Sequence, residues 1–389
     1  MPAKTYEHKR DSIGSAQTDT LIGIPGGLMT NSDSDRSATM QAITLDEHGG
    51  PEVLKFSEQP APRPKPGEVV VEVHACAINR LDLFVRNGLP NLRLDYPHTL
   101  GSDVAGVVCE IGDGVDAGLL GREVVLNPGV SCGRCEACLS GWDNLCPHYK
   151  ILGENAAGGY AERICVSTAN LVDKPANLSM IEAAAFPLTF LTAWQMLVTR
   201  AAIAVGETVL IHAAGSGVGS AALQIAKLHG ARAIALASTD AKLAKARELG
   251  ADEIIRSDRA DWPKQVRALA KVGRRGVDVV FEHVGQATWE HSLKLCRNGG
   301  RIVTCGASSG WDAHTDLRHV FFRQLQILGS TMGSKASLVR VAQLMREGVL
   351  RPVVDRVFPL AEAADAHRYL DRREQFGKVV LAVKAQAQA

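Results

Sequence analysis

The feature that most constrains the fold is a regular alternation of strand and helix patterns in the second half of the chain. Between residues 191 and 332, short β-branched runs alternate with helical segments. Alternation at this spacing predicts βαβ units and therefore an α/β fold with a doubly wound parallel sheet. Strands are predicted at 208–212, 233–237, 253–255, 277–281 and 301–304, and helices at 218–228 and 240–249.

The first half of the chain has a different pattern. From residue 39 to about 190, short β-branched runs such as 69–73 and 104–108 are separated by glycine, proline and asparagine, which predicts an antiparallel β domain. The C-terminal stretch 333–389 returns to this β character and is expected to pack onto the same domain. Residues 1–38 are polar and show no period, so we expect them to form a disordered extension.

Length and charge limit the classes of partner. A chain of 389 residues fits two domains of ordinary size. Lys plus Arg (43) nearly balances Asp plus Glu (42), so no global charge favours nucleic acid or an acidic membrane surface. No apolar stretch approaches the roughly 20 residues that span a bilayer, and no secretory signal pattern is present. We therefore expect a cytoplasmic protein whose partner is a small molecule.

Four of the nine cysteines are clustered in the loop 130–147. Cys132, Cys135, Cys138 and Cys146 follow the pattern C-x2-C-x2-C-x7-C. Thiolates two residues apart in a tight turn can point at one centre, and four of them complete the tetrahedral shell of a structural Zn²⁺. The spacing predicts one structural zinc, with an iron–sulfur centre as the chemical alternative.

A glycine-rich turn joins the first strand of the alternating region to its first helix. The turn contains Gly215, Gly217, Val218 and Gly219. Glycines let the backbone approach a pyrophosphate, and the helix N-terminus offers free N–H groups to its negative charge. Because the turn lies between a predicted strand and a predicted helix, it predicts a dinucleotide site.

The end of the next strand bears on which dinucleotide is bound. NAD-binding proteins place an acidic residue there, on the ribose 2′-hydroxyl. Here the strand ends at Ser238 and Thr239, and Lys242 follows one turn into the helix. Hydroxyls and a lysine suit a 2′-phosphate, so the sequence favours NADP. Asp240 follows closely, which leaves NAD possible.

A second turn follows the strand 301–304. It contains Gly306, Ala307 and Ser308, and His283 ends the preceding strand in a similar way. Ligands of doubly wound sheets bind at the carboxyl ends of the strands. These residues are therefore predicted to line the nicotinamide end of the cofactor site.

The four-cysteine loop, the β-rich front half and the later Rossmann unit, in this order, resemble the medium-chain dehydrogenase/reductase family from Met40 to about Val383. Several of the matching strings resemble the quinone-oxidoreductase branch more than the alcohol dehydrogenases. The strings are Gly50-Pro51-Glu52-Val53-Leu54, Pro66-Gly67-Glu68-Val69, Asn79-Arg80-Leu81-Asp82, Leu100-Gly101-Ser102-Asp103-Val104-Ala105-Gly106 and Gly377-Lys378-Val379-Val380.

The resemblance implies a domain division and an assembly. A GroES-like catalytic domain would comprise residues 39–190 and 333–389, and a Rossmann domain residues 191–332. Two subunits would join at an edge strand near 325–329, giving a homodimer or homotetramer.

Zinc alcohol dehydrogenases of this family bind a second, catalytic zinc through two cysteines and a histidine. The matching positions here hold Asn79, Ser102 and Leu188, which cannot replace that ligand set. Other potential ligands nearby are Cys76, His98 and Glu154. Their spacing does not predict a metal site, so a buried cysteine and a surface or junction histidine are the favoured interpretations. The resemblance therefore implies a structural zinc and no catalytic zinc.

The lack of ligands for a catalytic zinc indicates which reaction is favoured. Oxidising an unactivated alcohol requires a stabilised alkoxide, which a catalytic zinc normally supplies. Reducing a quinone or an α,β-unsaturated carbonyl is less demanding, because conjugation carries the charge to an oxygen that hydrogen-bond donors can stabilise. The chain is therefore predicted to be an NADPH-dependent reductase of such compounds.

Three residues are predicted to serve the reaction. The match to the quinone-reductase motif makes Asn79 the candidate donor to the substrate oxygen. Asp82 would order the loop by pairing with Arg86 or with the backbone. Thr189 would contact the nicotinamide end where the two domains meet.

Two alternatives remain open from the sequence. One is an alcohol dehydrogenase with an atypical metal site, which the four-cysteine loop favours because it is typical of that branch of the family. The other is a non-catalytic NADPH-binding protein, since a fold alone does not fix an activity. Turnover of a primary alcohol that a chelator abolishes would favour the first. Cofactor binding without turnover would favour the second.

Overall fold

The computed structural model describes residues 39–270 and 276–384. The extension expected at residues 1–38 lies outside this range. The strands are β1 (Thr39–Leu45), β2 (Lys55–Pro60), β3 (Glu68–Ile78), β4 (His98–Thr99), β5 (Asp103–Ile111), β6 (Glu123–Leu126), β7 (Gly129–Val130), β8 (Lys150–Ile151), β9 (Arg163–Ser167), β10 (Leu171–Asp173), β11 (Thr208–Ile211), β12 (Arg232–Ala237), β13 (Glu253–Arg256), β14 (Val277–Glu282), β15 (Cys296–Thr304), β16 (Gln326–Gly329), β17 (Val354–Pro359) and β18 (Lys378–Ala382).

Helices connect these strands. They are α1 (Arg80–Asn87), α2 (Glu136–Leu139), α3 (Met180–Ala184), α4 (Pro187–Trp194), α5 (Gly217–Leu228), α6 (Asp240–Glu248), α7 (Trp262–Leu269), α8 (Gln286–Leu295), α9 (Leu317–Phe322), α10 (Lys335–Arg346) and α11 (Ala363–Asp371). A π-helical segment, Gln195–Arg200, continues α4. Single 3-10 turns lie at Pro51–Val53, Ala117–Leu119, Asp143–Leu145, Thr168–Asn170 and Leu360–Glu362.

Strands from both ends of the described chain form the main sheet of the GroES-like front half. Its order is β10-β6-β5-β3-β18-β17, and β9 also pairs with β3. The C-terminal strand β18 runs antiparallel to β3. The C-terminal segment therefore joins the sheet of the front half, as its β pattern indicated. This pairing carries Lys378, the first residue of β18, into the interior.

The second half forms the predicted doubly wound sheet. Its order is β13-β12-β11-β14-β15-β16, and all neighbouring strands are parallel. Chain order reverses between β11 and β14, the switch point at which sheets of this kind bind nucleotides. The doubly wound parallel sheet predicted from the strand and helix alternation, and the Rossmann-type fold that the resemblance implies, are confirmed.

Two details of the predicted elements are wrong. The front half contains helices α1 and α3, where the sequence pattern predicts only strands. Both are short and begin at local capping boxes, Asn79 with Asp82 and Ser179 with Glu182. Such caps stabilise a helix without the long apolar period by which helices are recognised. Strand β15 begins at Cys296 rather than at residue 301, because Cys296 pairs with Val277 before a register irregularity.

The expected domain boundaries at residues 190 and 333 remain predictions. Helix α4 runs across the first of them as one continuous buried element. Near the second, the Asn144 amide donates to the carbonyl oxygen of Thr331 at 3.1 Å. Among the described helices, none combines the length and the apolar character needed to cross a membrane.

Candidate active site

The four cysteines of the loop 130–147 come together as the spacing predicts. Their Sγ atoms all lie within 4.8 Å of one another. The Cys135–Cys138 and Cys132–Cys138 Sγ distances are 3.5 and 4.0 Å. A tetrahedral ion with Zn–S bonds of about 2.3 Å requires sulfur separations of about 3.8 Å, so the cluster fits zinc.

The backbone around the cluster favours thiolates. The N–H groups of Cys132 and His148 point at the Cys146 sulfur at 3.5 and 3.4 Å. The N–H groups of Arg134 and Cys135 lower the pKa of the Cys132 thiol. Against a backbone donor, burial and the neighbouring thiol groups raise the pKa of Cys135 to about 11, so the backbone favours the metal-binding thiolate without fixing it at every cysteine.

The other potential ligands do not assemble. Within residues 39–270 and 276–384, the four-cysteine loop is the one group of histidine, cysteine or acidic side chains with metal-binding geometry. His98 is bonded through Nε2 to the carbonyl oxygen of Gly153 at 3.2 Å. Cys76 is fully buried, and burial raises the pKa of its thiol. Cys76 is therefore buried as predicted, whereas His98 is buried rather than at the surface, because its ring bonds to the Gly153 carbonyl oxygen in the interior.

The positions matched to the catalytic-metal ligands meet at a buried carboxylate. Asp103 Oδ1 accepts a hydrogen bond from the backbone N–H of Leu188 at 2.7 Å. Asp103 Oδ2 accepts from Asn79 Nδ2 at 2.9 Å and from Lys378 Nζ at 2.8 Å. Ser102 directly precedes Asp103 and is fully buried. A buried ion pair therefore lies against the positions that the resemblance matched to metal ligands.

The Asn79 side chain takes part in this network. Its Oδ1 accepts from Lys378 Nζ, while its Nδ2 also approaches the carbonyl oxygen of Ala77 at 3.4 Å. The side chain is thus held between the lysine and the aspartate. Its proposed role as a donor to the substrate oxygen stays a prediction, and the amide already has partners in this structure.

Sequence reasoning missed Asp103 and Lys378. Both side chains are almost completely enclosed, with 0% and 4% of their surface exposed. A signal was available, because Lys378 opens an otherwise apolar strand, Val379 to Ala382, and lysine is rarely buried unless it is paired. The partner could not be read from the sequence, since 275 positions separate the two residues.

The glycine-rich turn Ala213 to Gly219 joins strand β11 to helix α5 as predicted. We call it the nucleotide turn, and its role in binding a cofactor stays a prediction. The Ser216 hydroxyl caps α5 by accepting from the N–H of Gly219 at 2.9 Å. The first-turn N–H groups of Gly217 and Val218 have no acceptor within the helix and stay available to an anion. A Cβ on Gly219 would lie 2.4 Å from the carbonyl oxygen of Ala213, so only glycine fits there.

Thr189 and Lys378 both lie against this turn. A Cβ on Gly217 would stand 2.9 Å from Thr189 Cγ2 and 2.8 Å from Lys378 Cδ. Thr189 is buried in α4, and its hydroxyl makes only long contacts with the carbonyl oxygens of Ala185 and Phe186 at 3.4 and 3.5 Å. The buried ion pair and the nucleotide turn are therefore adjacent.

The end of β12 is exposed and carries no free carboxylate. Ser238 is exposed at the surface. Asp240 is paired with Arg256 at 3.0 Å. Lys242 lies over the nucleotide turn, with Cδ 3.2 Å from a Cβ placed on Gly215, and its ammonium donates to the carbonyl oxygen of Arg373. Lys242, in the first turn of α6, and Gly215, in the nucleotide turn, are both predicted cofactor residues, and they lie close to each other.

The turns after β14 and β15 pack together. The Ser308 hydroxyl donates to the carbonyl oxygen of His283 at 3.3 Å. A Cβ on Gly285 would lie 2.8 Å from Ala307 Cα. Gly306 is more open, with the His283 carbonyl oxygen 3.5 Å from its Cβ position. These turns lie at the carboxyl ends of the strands, as a nicotinamide wall requires.

Asp82 orders the loop through the backbone rather than through Arg86. Its carboxylate accepts from the N–H groups of Asn79 at 2.7 Å and Gly101 at 3.0 Å. Arg86 instead pairs with Asp371 at 3.3 Å and donates to Nδ1 of His367. Of the two partners suggested for Asp82, the structure shows the backbone, while Arg86 pairs with Asp371 of α11.

Burial determines the charge of Asp82 and His367. Burial raises the pKa of Asp82 to about 6, against the effect of its backbone donors. Burial also lowers the pKa of His367 to about 3, so this imidazole is neutral. Since Arg86 can only donate, His367 accepts at Nδ1 and donates from Nε2 to the Tyr160 hydroxyl at 3.0 Å.

The raised pKa of Asp82 predicts a pH-dependent stability. The folded state holds this proton more tightly than the unfolded chain, whose Asp pKa is about 3.9. The stabilisation that this proton gives to the folded state is complete below about pH 4 and is lost as the pH rises through 6. Relative to Asp82→Asn, the wild type should lose about 1 kcal/mol of unfolding free energy between pH 5 and pH 7.5. Urea unfolding at both pH values measures this loss. An equal change in unfolding free energy for the wild type and Asp82→Asn would contradict the prediction.

Comparisons with known proteins agree with this geometry. Residues 65–176 match the alcohol dehydrogenase GroES-like domain, and residues 217–347 match the zinc-binding dehydrogenase domain. A quinone oxidoreductase of Rattus norvegicus is 30% identical over 350 residues, covering 88% of this chain and 97% of the relative. A crotonyl-CoA reductase of Streptomyces collinus is 32% identical over 370 residues, covering 84% of this chain and 80% of the relative.

Comparison with solved structures agrees with these sequence matches. The crystal structure of an NAD-dependent alcohol dehydrogenase superposes with a TM-score of 0.85 at 52% identity, covering 89% of this chain and all of that one. The chain belongs to the medium-chain dehydrogenase/reductase family of NAD(P)H-dependent oxidoreductases.

Proposed function

We propose that this enzyme uses NADPH to reduce a quinone or an α,β-unsaturated carbonyl, with a structural zinc and no catalytic zinc. The observation that carries the proposal is the Asp103–Lys378 ion pair, whose carboxylate accepts hydrogen bonds from two of the matched metal-ligand positions, Asn79 and Leu188. Asn79, Ser102 and Leu188 do not supply thiolate or imidazole ligands, so we derive no step through a catalytic metal.

The reaction class follows from what such a site can stabilise. Conjugate reduction places negative charge on a carbonyl or quinone oxygen, which hydrogen-bond donors and an ammonium group can stabilise without a Lewis acid. Alkoxide formation from a simple alcohol needs stronger stabilisation. The relatives described as quinone oxidoreductase and crotonyl-CoA reductase support the conjugate acceptor as the substrate class.

The nucleotide turn fits the cofactor. Gly217 and Gly219 leave no side chain between the backbone and a pyrophosphate, and the capped N-terminus of α5 offers its free N–H groups. When bound, the reduced nicotinamide supplies a hydride. On the chain's side, Thr189 and the turn Gly306 to Ser308 would position the nicotinamide, while Ser238 and Lys242 would lie near the adenosine ribose.

NADPH is favoured because the end of β12 lacks a free carboxylate. The Asp240 carboxylate is engaged by Arg256, and the nearby lysine offers positive charge to a 2′-phosphate. Replacing Lys242 by alanine is expected to raise the KM for NADPH about tenfold while changing that for NADH less than threefold. Steady-state kinetics with both cofactors measures this. Lys294→Ala, at an exposed pair with Glu290, is the control and should alter neither KM.

The structural zinc is proposed from the geometry of the four-cysteine loop. The loop contacts the rest of the molecule through the segment that follows α2, where Asp143 accepts from the N–H of Lys335 at 3.0 Å. A metal there would fix a loop that has little apolar core of its own. The cytoplasmic location belongs to the same proposal, because clustered cysteines that serve a metal rather than disulfides are typical of a reducing compartment.

A homodimer is proposed through the edge of the Rossmann sheet. Strand β16 ends the strand order, and its outer edge has no partner within the described ranges. Leu317, Phe321 and Phe322 are exposed just before it. Unpaired edges and exposed apolar groups are features that a second copy covers.

A second candidate is an NAD-dependent alcohol dehydrogenase. The solved structure at 52% identity carries that description, which favours it. The discriminating experiment is turnover of 9,10-phenanthrenequinone, 3-penten-2-one and a panel of primary alcohols, each with NADPH/NADP and NADH/NAD. We expect quinone or enone reduction that EDTA does not inhibit. Alcohol oxidation that EDTA abolishes would replace the proposal with the second candidate.

A further inference from the structure

We propose that Glu282 is a positioning residue for hydride transfer, an inference that rests on the proposed NADPH site at the nucleotide turn. Glu282 ends β14, which lies between β11 and β15 at the switch point of the Rossmann sheet. The nucleotide turn follows β11, and the predicted nicotinamide wall, Gly306 to Ser308, follows β15. The Glu282 side chain is fully buried, so it acts through the turn that follows it rather than by touching a ligand.

The Glu282 carboxylate accepts hydrogen bonds from the turn after β14 and from helix α8. Its Oε1 accepts from the backbone N–H groups of Val284 at 2.8 Å and Gly285 at 3.1 Å. Its Oε2 accepts from the hydroxyls of Thr288 at 2.9 Å and Ser292 at 2.6 Å. A carboxylate has about four acceptor positions, and these donors use them. One side chain therefore fixes both the turn and the helix that follows it.

The Glu282 carboxylate keeps its negative charge inside the protein. Burial opposes the charge, but the groups around it outweigh burial and hold the pKa of the Glu282 carboxyl below its usual value. His212 Nε2 lies 3.5 Å from Glu282 Oε2, and burial lowers the pKa of this histidine, so its ring is neutral. Because the Ser292 hydroxyl gives its proton to the carboxylate, His212 Nε2–H donates to the Ser292 oxygen at 2.9 Å. These three side chains therefore join α8 to the end of β11.

The turn after β14 is tied to the ends of both neighbouring strands. His283 Nε2–H donates to the carbonyl oxygen of His212 at 2.8 Å, directly before the nucleotide turn. The Ser308 hydroxyl donates to the His283 carbonyl oxygen at 3.3 Å. The Ser309 N–H donates to the Val284 carbonyl oxygen at 2.7 Å. The turn that Glu282 fixes therefore bridges the nucleotide turn and the predicted nicotinamide wall.

Loss of the carboxylate is expected to displace the nicotinamide more than the phosphates of the cofactor. A Cβ on Gly285 would lie only 2.8 Å from Ala307 Cα, so a movement of this turn moves the wall with it. The pyrophosphate would bind at the N-terminus of α5, which the Ser216 hydroxyl caps without the help of Glu282. A misplacement of about 1 Å at the reacting atoms can lower a rate about 100-fold. Hydride transfer should therefore slow while the phosphates still bind.

The test compares hydride transfer and cofactor binding in the full-length wild type and in Glu282→Gln. Glutamine keeps the shape of the side chain but presents N–H groups where one carboxylate oxygen accepts two hydrogen bonds. Stopped-flow oxidation of NADPH by 9,10-phenanthrenequinone in a single turnover should slow at least about 30-fold. The Kd of 2′,5′-ADP, which has no nicotinamide, should stay within about twofold. A rate within about threefold of the wild type, or a Kd of 2′,5′-ADP that rises as much as the rate falls, would overturn the positioning role.

Glu207→Gln is the matched control, because Glu207 is a buried carboxylate at the opposite end of the same sheet. It precedes β11, accepts from the N–H of Ala204 at 2.9 Å and pairs with Arg301. Both variants should lose stability, which urea unfolding measures. Glu207→Gln should keep the single-turnover rate within about threefold of the wild type. An equal slowing of the two variants would show that Glu282 acts only through stability.

Ser292→Ala tests the same cluster with a smaller change. It removes one donor and leaves the carboxylate its contacts with Val284, Gly285 and Thr288. The single-turnover rate should fall about fivefold, the effect of about one hydrogen bond. If Glu282→Gln does not fold, a rate within about twofold of the wild type for Ser292→Ala overturns the positioning role.

The emission spectrum of bound NADPH reports the surroundings of the nicotinamide and needs no turnover. In Glu282→Gln it should move toward the spectrum of free NADPH, while Glu207→Gln should match the wild type. If the wild type reduces neither quinone nor enone, the proposed function fails, and an unchanged spectrum then overturns the positioning role. If NADH is the better cofactor, NADH and ADP-ribose replace NADPH and 2′,5′-ADP as probes. A wild type that binds neither cofactor would overturn both the site and this role.

Discussion

Replacing Lys378 by methionine is expected to lower the free energy of unfolding by about 3–5 kcal/mol. The variant leaves the Asp103 carboxylate in the interior without its cation, and breaking a buried pair by removing one partner costs this much. Asn79 also loses the acceptor contact that its Oδ1 makes with the ammonium. Chemical denaturation followed by circular dichroism measures the loss.

An exposed lysine of the same C-terminal segment provides the matched control. Lys384 pairs with Glu72 at 2.8 Å at the surface, so Lys384→Met should cost less than about 1 kcal/mol. Adding Asp103→Leu to Lys378→Met should recover part of the lost stability, because no unpaired charge remains. A loss below 1 kcal/mol for Lys378→Met alone would contradict the buried pair.

Replacing Gly219 by valine is expected to weaken NADPH binding more than 100-fold. Its Cβ would lie 2.4 Å from the Ala213 carbonyl oxygen and 2.9 Å from Ala214 Cα, so the N-terminus of α5 must move away from the turn. The free N–H groups that face a pyrophosphate move with it. Fluorescence titration with NADPH measures the effect.

A control distinguishes this effect from general damage. A Cβ on Gly118, in a surface turn, makes only ordinary contacts at 3.4 Å, so Gly118→Ala should bind NADPH like the wild type. The cysteine loop is a separate structure, and Gly219→Val should keep its zinc. NADPH binding by Gly219→Val within tenfold of the wild type would show that this turn does not hold the cofactor.

The parts of the fold predicted from sequence are those coded by short-range patterns. The glycine turn, the alternation of strand and helix patterns around it and the spacing of the first three cysteines each depend on residues within a few positions of one another. Capping by Ser216 at Gly219 and the Cys135–Cys138 contact are examples. Local spacing is sufficient for such features because chain geometry fixes them.

The centre of the candidate site could not be predicted in this way. The Asp103–Lys378 pair exists because β18 returns to pair with β3, which brings residues 275 positions apart together. The Arg86–His367 contact likewise joins α1 to α11. A single sequence gives no sign of which distant residues meet. The prediction therefore treated Asn79 as a free donor and missed its partners Asp103 and Lys378.

The most direct test of the central claim, a structural zinc beside a metal-free pocket, is the zinc content per subunit of purified protein after loosely bound metal is removed. We predict one equivalent in the wild type and none in Cys138→Ser, because the four-cysteine loop is the single metal-binding group in the described chain. Two equivalents in the wild type, with one retained in Cys138→Ser, would contradict the metal-free pocket.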